Sequence, residues 1–269
     1  MTAPIRLFFF RSSNGRPNFG DELSPQVVSF VTGREAVHAG PWDCELTAIG
    51  SILDRYLKVG GRVRTGLRKR LLGRRIAVWG SGLIAEEEPG GHALDILALR
   101  GGLTRSALRA GDGEPLGDPG LLVGRMIRRP AKTHAIGIVP HYVDKADPMV
   151  RALSGLKGVT VIDVETDVMT VTRQIAACGL VLSSSLHGLI VADAFGIPNQ
   201  RLKFSGKLKG GDFKFSDYAS ALGRANTLAH VLTAPEDIFL LAKQEFDLSY
   251  QGNVDSVCAA LEKALKEVY

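Results

Sequence analysis

Leu180-Val181-Leu182-Ser183-Ser184-Ser185-Leu186-His187-Gly188-Leu189-Ile190-Val191-Ala192-Asp193-Ala194-Phe195-Gly196-Ile197-Pro198 is a short apolar run, then three serines, then apolar residues at helical spacing. The run reads as a buried strand that ends in a polar turn. Leu186, Leu189, Ile190 and Ala194 recur every three or four residues, so a helix begins at about Leu186 with one buried stripe. His187 and Gly188 leave that stripe and sit at the mouth of the turn. A strand passing through a tight turn into a helix is the repeating unit of a parallel sheet with crossover helices. The first amides of a helix lack intrahelical partners, so they and the hydroxyls of Ser184 and Ser185 converge on one spot, which the helix dipole favours for an anion. A histidine there can donate to an anion and transfer a proton near neutral pH. Plain helix caps with a first-turn histidine would show the same spacing, and the segment alone leaves both readings open.

The same alternation runs outward in both directions, and the fold class is α/β. Strands are expected near residues 5–10, 46–49, 75–79 and 94–99 in the first half, with a helix over 25–31 capped by Ser24 and closed by Gly33. In the second half, strands are expected near 134–139, 159–163, 180–183 and 200–204, and helices near 149–153, 169–177 and 186–195. Arg125, Arg128, Arg129 and Pro130 interrupt the pattern like a linker. The division this suggests is residues 1–124 and 125–245, two Rossmann-like domains facing across a cleft. A helix within 246–269, with Val257, Ala260, Leu261 and Leu265 on one stripe, returns to the first of them.

The chain has 269 residues with ordinary apolar content, enough to bury a core. Cys44, Cys178 and Cys258 are scattered and odd in number, which points to reduced thiols, a cytoplasmic setting and no metal site. The apolar start, interrupted at Arg11, is too short for a signal peptide or a membrane span. A formal charge of +5 suits anionic small molecules or an anionic membrane surface and does not demand nucleic acid. Arg62, Arg64, Arg68, Lys69, Arg70, Arg74 and Arg75 crowd around Leu67, Leu71 and Leu72, as a peripheral contact with the inner face of the plasma membrane or as a solvated helix face.

Other strand-to-loop junctions carry chemistry as well. Gly80, Ser81 and Gly82 would let backbone approach a ligand closely. Arg100 at a strand end and Arg105 one turn into the next helix would present two guanidinium forks to a doubly anionic substrate. Asn18-Phe19-Gly20-Asp21 offers Asp21 to bind or deprotonate a hydroxyl, or merely to cap a helix. Asp118 and His141 lie on further loops at the edge where parallel sheets collect ligands.

Asn18-Phe19-Gly20-Asp21, Trp79-Gly80-Ser81-Gly82, Arg100-Gly101-Gly102-Leu103-Thr104-Arg105, Gly117-Asp118-Pro119-Gly120, Val139-Pro140-His141 and Ser183-Ser184-Ser185-Leu186-His187-Gly188 stand in the order and spacing of the polysaccharide pyruvyltransferase family. The resemblance spans most of the chain and is strongest to the exopolysaccharide ketal branch, of the xanthan and succinoglycan type, down to Phe213-Lys214-Phe215-Ser216-Asp217-Tyr218. Many members carry arginine where this chain has Ser185, and proline where it has Gly102. The resemblance implies a fold like that of GT-B glycosyltransferases, phosphoenolpyruvate as donor, no cofactor, and a hexose of a lipid-linked oligosaccharide as acceptor. On that reading His187 is the acid, Arg100 and Arg105 hold the donor with the amides at 185–187, and Asp21 or His141 takes the hydroxyl proton. Asn18, Gly20, Gly80, Ser81, Gly82, Asp118, Ser184, Ser185, Leu186 and Lys214 complete the substrate site. Two alternatives stay open. A GT-B glycosyltransferase using a nucleotide sugar would show paired glutamates seven residues apart, which residues 151–218 lack. The other is a glycan-binding relative without chemistry.

Overall fold

The computed structural model describes residues 3–11, 18–57, 75–86, 94–225 and 227–269. The first half contains β1 (Ile5–Phe8), α1 (Phe19–Thr32), β2 (Ala36–His38), β3 (Leu46–Thr47), α2 (Asp54–Leu57), β4 (Ile76–Trp79), β5 (Leu94–Ala98) and α3 (Gly102–Leu108). A 3-10 turn at Pro119–Leu122 leads into α4 (Val123–Met126). The second half contains β6 (His134–Val139), α5 (Pro148–Ser154), β7 (Val159–Val161), α6 (Val168–Ala176), β8 (Cys178–Ser183), α7 (Leu186–Ala194), β9 (Asn199–Arg201) and α8 (Phe213–Leu222). Two last helices, α9 (Asp237–Leu241) and α10 (Val254–Lys266), close the chain.

The strands form a five-stranded sheet in the order β2-β1-β3-β4-β5 and a four-stranded sheet in the order β7-β6-β8-β9. Every pairing is parallel, from Ile5 against Ala36 in the first sheet to Ser183 against Arg201 in the second. The α/β class expected from the alternation is therefore what the chain adopts. In the first sheet the chain steps from β1 out to β2 and returns across β1 to β3. In the second it steps from β6 out to β7 and returns to β8. Each return leaves a crevice at the carboxyl ends of the strands, where open parallel sheets bind ligands.

One helix begins earlier than expected. α1 starts at Phe19 rather than Pro25, so Ser24 is a buried residue inside it and not its cap. Proline usually marks a helix start because it lacks an amide. Here Phe19, Leu23, Val27, Val28 and Val31 bury one continuous stripe, and that burial holds the first turns ahead of Pro25. Gly33 ends the helix, as expected.

The apolar core is continuous between the two sheets. Its largest cluster joins Leu7 and Trp79 of the first sheet to Val139 and Val181 of the second, with Val27 of α1, Leu189 of α7 and Leu261 of α10. The indole of Trp79 donates to the Leu261 carbonyl at 2.9 Å, so the last helix returns to the first sheet. Separate clusters cover the outer faces, around Tyr56 and Val78 on one side and Ile138 and Leu182 on the other.

A polar clamp crosses from one half to the other. Arg100, just after β5, is fully enclosed; its Nε donates to Asp217 Oδ2 at 2.9 Å, its Nη2 to the Leu83 carbonyl at 2.6 Å, and its Nη1 to Ser51 Oγ. Asp217, on α8, also accepts from the Thr104 amide at 2.7 Å and the Thr104 hydroxyl at 2.6 Å. Among the described residues no helix is long and apolar enough to cross a membrane. The basic stretch lies outside the described residues except for Arg75, which is exposed and 3.6 Å from Asp95.

Removing one member of an enclosed ion pair strands the other without water, which costs about 3–5 kcal/mol. Asp217→Ala is accordingly expected to lower the unfolding free energy by at least about 3 kcal/mol in urea titrations. An unchanged midpoint and slope would show that the clamp is not what joins α8 to the first sheet.

Candidate active site

The two crevices open onto each other. On the first sheet, Asp21 sits in the opening turn of α1 and Gly50 follows β3. Gly50 has φ 116°, and a side chain there would overlap Asp21 Oδ1, so both backbone and space require glycine. Asn18 Nδ2 donates to the buried Asp21 carboxyl. On the second sheet, the His141 amide donates to Ser184 Oγ at 2.9 Å, and Ser184 Oγ donates to Asp144 Oδ2 at 2.7 Å. Ser205 donates to the other oxygen of Asp144. Ser185 occupies the cap position of α7 but makes no side-chain cap bond. Leu186 turns its side chain into the core, so its amide is the part that faces the crevice.

His187 spans the gap between the halves. Its ring lies so close to Gly20 that a methyl group there would overlap Nδ1. Its Nε2 is 3.8 Å from Asp118 Oδ2. Asp118 caps the 3-10 turn by accepting from the Gly120 amide at 2.9 Å. That turn seats against Gly80, whose φ of 74° and lack of a side chain leave room for Pro119.

The glycine pair thus makes room for protein rather than ligand. Gly82 accommodates the Arg100 guanidinium, and Ser81 donates to the Ala48 carbonyl. The paired forks expected of Arg100 and Arg105 are both turned to protein acceptors. Arg105 holds the following loop, through the Glu114 carbonyl and Asp112 at 3.6 Å. His141 accepts from the Val143 amide at 3.3 Å through Nδ1 and stacks beside Tyr142.

Lys214, in the first turn of α8, brings a further cation to the site, its Nζ 5.4 Å from the Phe215 ring centroid. It is 7 % exposed, and no hydrogen bond or ion pair ties it to the described residues. Sequence reasoning missed two residues beside it. Asp144 follows β6, and Arg201 ends β9 with its guanidinium 3.8 Å from the Phe215 ring centroid and its Nε enclosed without a partner. Position at the carboxyl ends of parallel strands is the signal that marks both. They line a cavity of about 110 Å³ with Ser184, Phe204, Ser205 and Asp212. The described residues hold no cluster able to bind a metal.

Burial sets the charges. It pushes the Asp21 carboxyl up to about 8, against the opposing pull of Lys214. Asp118 rises to about 6 by burial, restrained by the Gly120 amide and Arg100. Lys214 falls to about 8, from burial and then Arg100. His187 and His141 fall to about 3, from burial and then Lys214. At neutral pH the site therefore holds an ammonium, two neutral imidazoles and a carboxyl that keeps its proton.

Two parallel sheets that share a buried lysine, a helix N-terminus and acid and base groups shifted in opposite directions have the features of a functional site. The sequence profile of the family described as "Polysaccharide pyruvyl transferase" matches residues 18–199, from Asn18 beside Asp21 to β9, and the chain belongs to that family. It is 28 % identical over 225 residues to the succinoglycan biosynthesis protein ExoV of Rhizobium meliloti (strain 1021), which covers 81 % of this chain and 65 % of that protein. It is 42 % identical over 114 residues to the uncharacterised protein L143 of Acanthamoeba polyphaga mimivirus, 40 % of each chain. The chain thus spans about two fifths of one relative and just under two thirds of the other. A functionally uncharacterised protein of Klebsiella pneumoniae aligns with a TM-score of 0.44 at 9 % identity, over 85 % of this chain and 93 % of that one.

The Asp21 value has a consequence for stability. Its folded-state value lies above the ordinary 3.8, so the stability its proton contributes is full below about 4 and is lost as pH rises through about 8. Asp21→Asn is expected to match the wild type at pH 4 and to exceed it by about 2 kcal/mol or more at pH 8 in denaturant titrations. A difference independent of pH would mean that Asp21 is ionised in the folded protein.

Proposed function

We propose that this site transfers the pyruvyl group of phosphoenolpyruvate to a hexose of a lipid-linked exopolysaccharide unit, closing a cyclic ketal and releasing phosphate. The reading is carried by the meeting of the buried Lys214 with Asp21 and His187, whose burial favours a protonated carboxyl and a neutral imidazole, in a member of this family. The similarity to the succinoglycan biosynthesis protein ExoV supports an exopolysaccharide pathway. The arrangement of 1–124 and 125–245 as two Rossmann-like domains of GT-B type, with 246–269 returning to the first, belongs to the same reading.

An enol ether is attacked at its central carbon only as its methylene carbon gains a proton. Asp21 supplies that proton, because burial keeps its carboxyl protonated. One sugar hydroxyl bonds to the central carbon and gives its proton to His187, which burial keeps unprotonated. These roles reverse those expected from the sequence, and the reason is desolvation at both groups. The bond from the central carbon to the phosphate oxygen then breaks. Its electron pair leaves with phosphate, which is received by Lys214 and the first amides of α7 and takes the proton from His187. A neighbouring hydroxyl closes the ketal and returns a proton to Asp21. The sum is one phosphoenolpyruvate and two hydroxyls giving one ketal and one phosphate, with both protein groups restored.

Arg100 acts from inside the fold, as a fixed positive charge behind the site. Arg105 is engaged by the Glu114 carbonyl and Asp112, which ties it to the loop after α3. The cavity beside Ser184 offers the carboxylates of Asp144 and Asp212, Arg201 and the face of Phe204 to a sugar ring.

Phosphoenolpyruvate is expected to raise the melting temperature of the protein, a nucleotide sugar is not, and Lys214→Met is expected to abolish the shift. His187→Gln should keep the shift while phosphate release with a glycan acceptor falls about a hundredfold. Stabilisation by a nucleotide sugar in place of phosphoenolpyruvate would overturn the reading.

A further inference from the structure

Two enclosed polar atoms face each other across the middle of the site without touching. Asp118 Oδ2 and His187 Nε2 are both buried, neither has a hydrogen-bond partner among the described residues, and they lie 3.8 Å apart. A buried polar atom left unpaired costs roughly 1–3 kcal/mol, so two of them opposite one another make up an incomplete bond rather than an accident of packing. The gap exceeds a hydrogen bond by less than an ångström. Such bonds in unliganded sites are commonly long and tighten when substrate binds.

Each partner is held on its other side. Asp118 Oδ1 is fixed by the Gly120 amide at 2.9 Å, which aims Oδ2 alone at the ring. The imidazole is pinned between Gly20 and the Gly120 turn. Nε2 is the ring nitrogen enclosed without a partner, whereas Nδ1 lies on the Gly20 side of the ring. The cations around the ring are Lys214 and Arg100, both of which disfavour its protonation, and His141 is the other titratable group facing it. Asp118 is the carboxylate beside the ring, its Oδ2 3.8 Å from Nε2.

Resting on the pyruvyl-transfer reading, we propose that Asp118 is a positioning residue for His187: its Oδ2 takes the Nε2–H, fixes that tautomer, and leaves Nδ1 as the nitrogen that removes the hydroxyl proton. In the step itself the O–H electron pair of the sugar becomes the new bond to the donor's central carbon, and the proton passes to Nδ1. The imidazolium so formed is balanced by the Asp118 carboxylate until the proton leaves with phosphate. An acid–base histidine held by a buried carboxylate through its far nitrogen is a general device for selecting one tautomer.

The tautomer is readable without any substrate, so its outcome is independent of whether the donor assignment is right. In 15N-labelled protein at pH 7.5, the ring signals lost in His187→Gln identify His187. The wild type is expected to show a protonated Nε2 and an unprotonated Nδ1. Asp118→Asn keeps the oxygen that caps Gly120 but turns an amide donor toward Nε2, so it is expected to switch the ring to the Nδ1–H form. With a glycan acceptor, the same variant should lose about a hundredfold in turnover while the melting shift given by phosphoenolpyruvate persists. A wild-type ring already protonated at Nδ1, or a tautomer that Asp118→Asn leaves unchanged, would overturn the proposal. Loss of turnover with no change of tautomer would count against it as well.

Discussion

An arginine with no exposed surface has to find acceptors within the protein, and the acceptors that Arg100 finds determine how the two halves of this molecule meet. Its partner Asp217 lies 117 positions away on α8, in the second half, while Ser51 and Leu83 belong to the first. The same Asp217 carboxylate receives the amide and hydroxyl of Thr104. An ion pair so enclosed contributes little net stability, because desolvating both charges offsets their attraction. Its effect is geometric. Lys214, one turn before Asp217 on α8, is held over the crevice whose far wall carries Asp21, and His187 meets Gly20 and Asp118 across the same gap.

The site this creates is energetically costly. Asp21 holds a proton that water would remove, His187 and His141 refuse one that water would supply, and Lys214 is buried with no hydrogen bond or ion pair among the described residues. Such departures from polar satisfaction concentrate where chemistry is done, and the surrounding fold compensates them. Here the compensation is a core that runs unbroken between the two sheets. Burial also separates the acid from the base: desolvation raises a carboxyl and lowers an imidazole, so one enclosed space yields a proton donor and a proton acceptor side by side.

Much of the fold was legible in the sequence because parallel strands buried on both faces leave unmistakable apolar runs. The strand at 134–139 and the passage from β8 through three serines into α7 lie where the alternation puts them. The start of α1 was not legible, since Pro25 is a local stop signal and the stripe that overrides it gains its value only from tertiary burial. At the site, the side chains on tight turns were found, and the direction of the long ones was not. Arg100 and Arg105 are read from local spacing as anion forks, but their orientation depends on Asp217 and on the 112–114 turn. Asp144 and Arg201 were missed because a single carboxylate after one strand, or a single arginine at the end of another, has no spacing pattern until the sheet order makes them neighbours.

The central claim is that these residues make and break bonds at the central carbon of phosphoenolpyruvate and leave its phosphorus untouched. Donor carrying 18O in the oxygen that bridges carbon and phosphorus, turned over with a glycan acceptor, tests this directly. Mass analysis of the products is predicted to find the label in inorganic phosphate and none in the pyruvyl group bound to the glycan. Label retained with the pyruvyl carbon, or recovered in free pyruvate, would mean cleavage at phosphorus and would contradict the account.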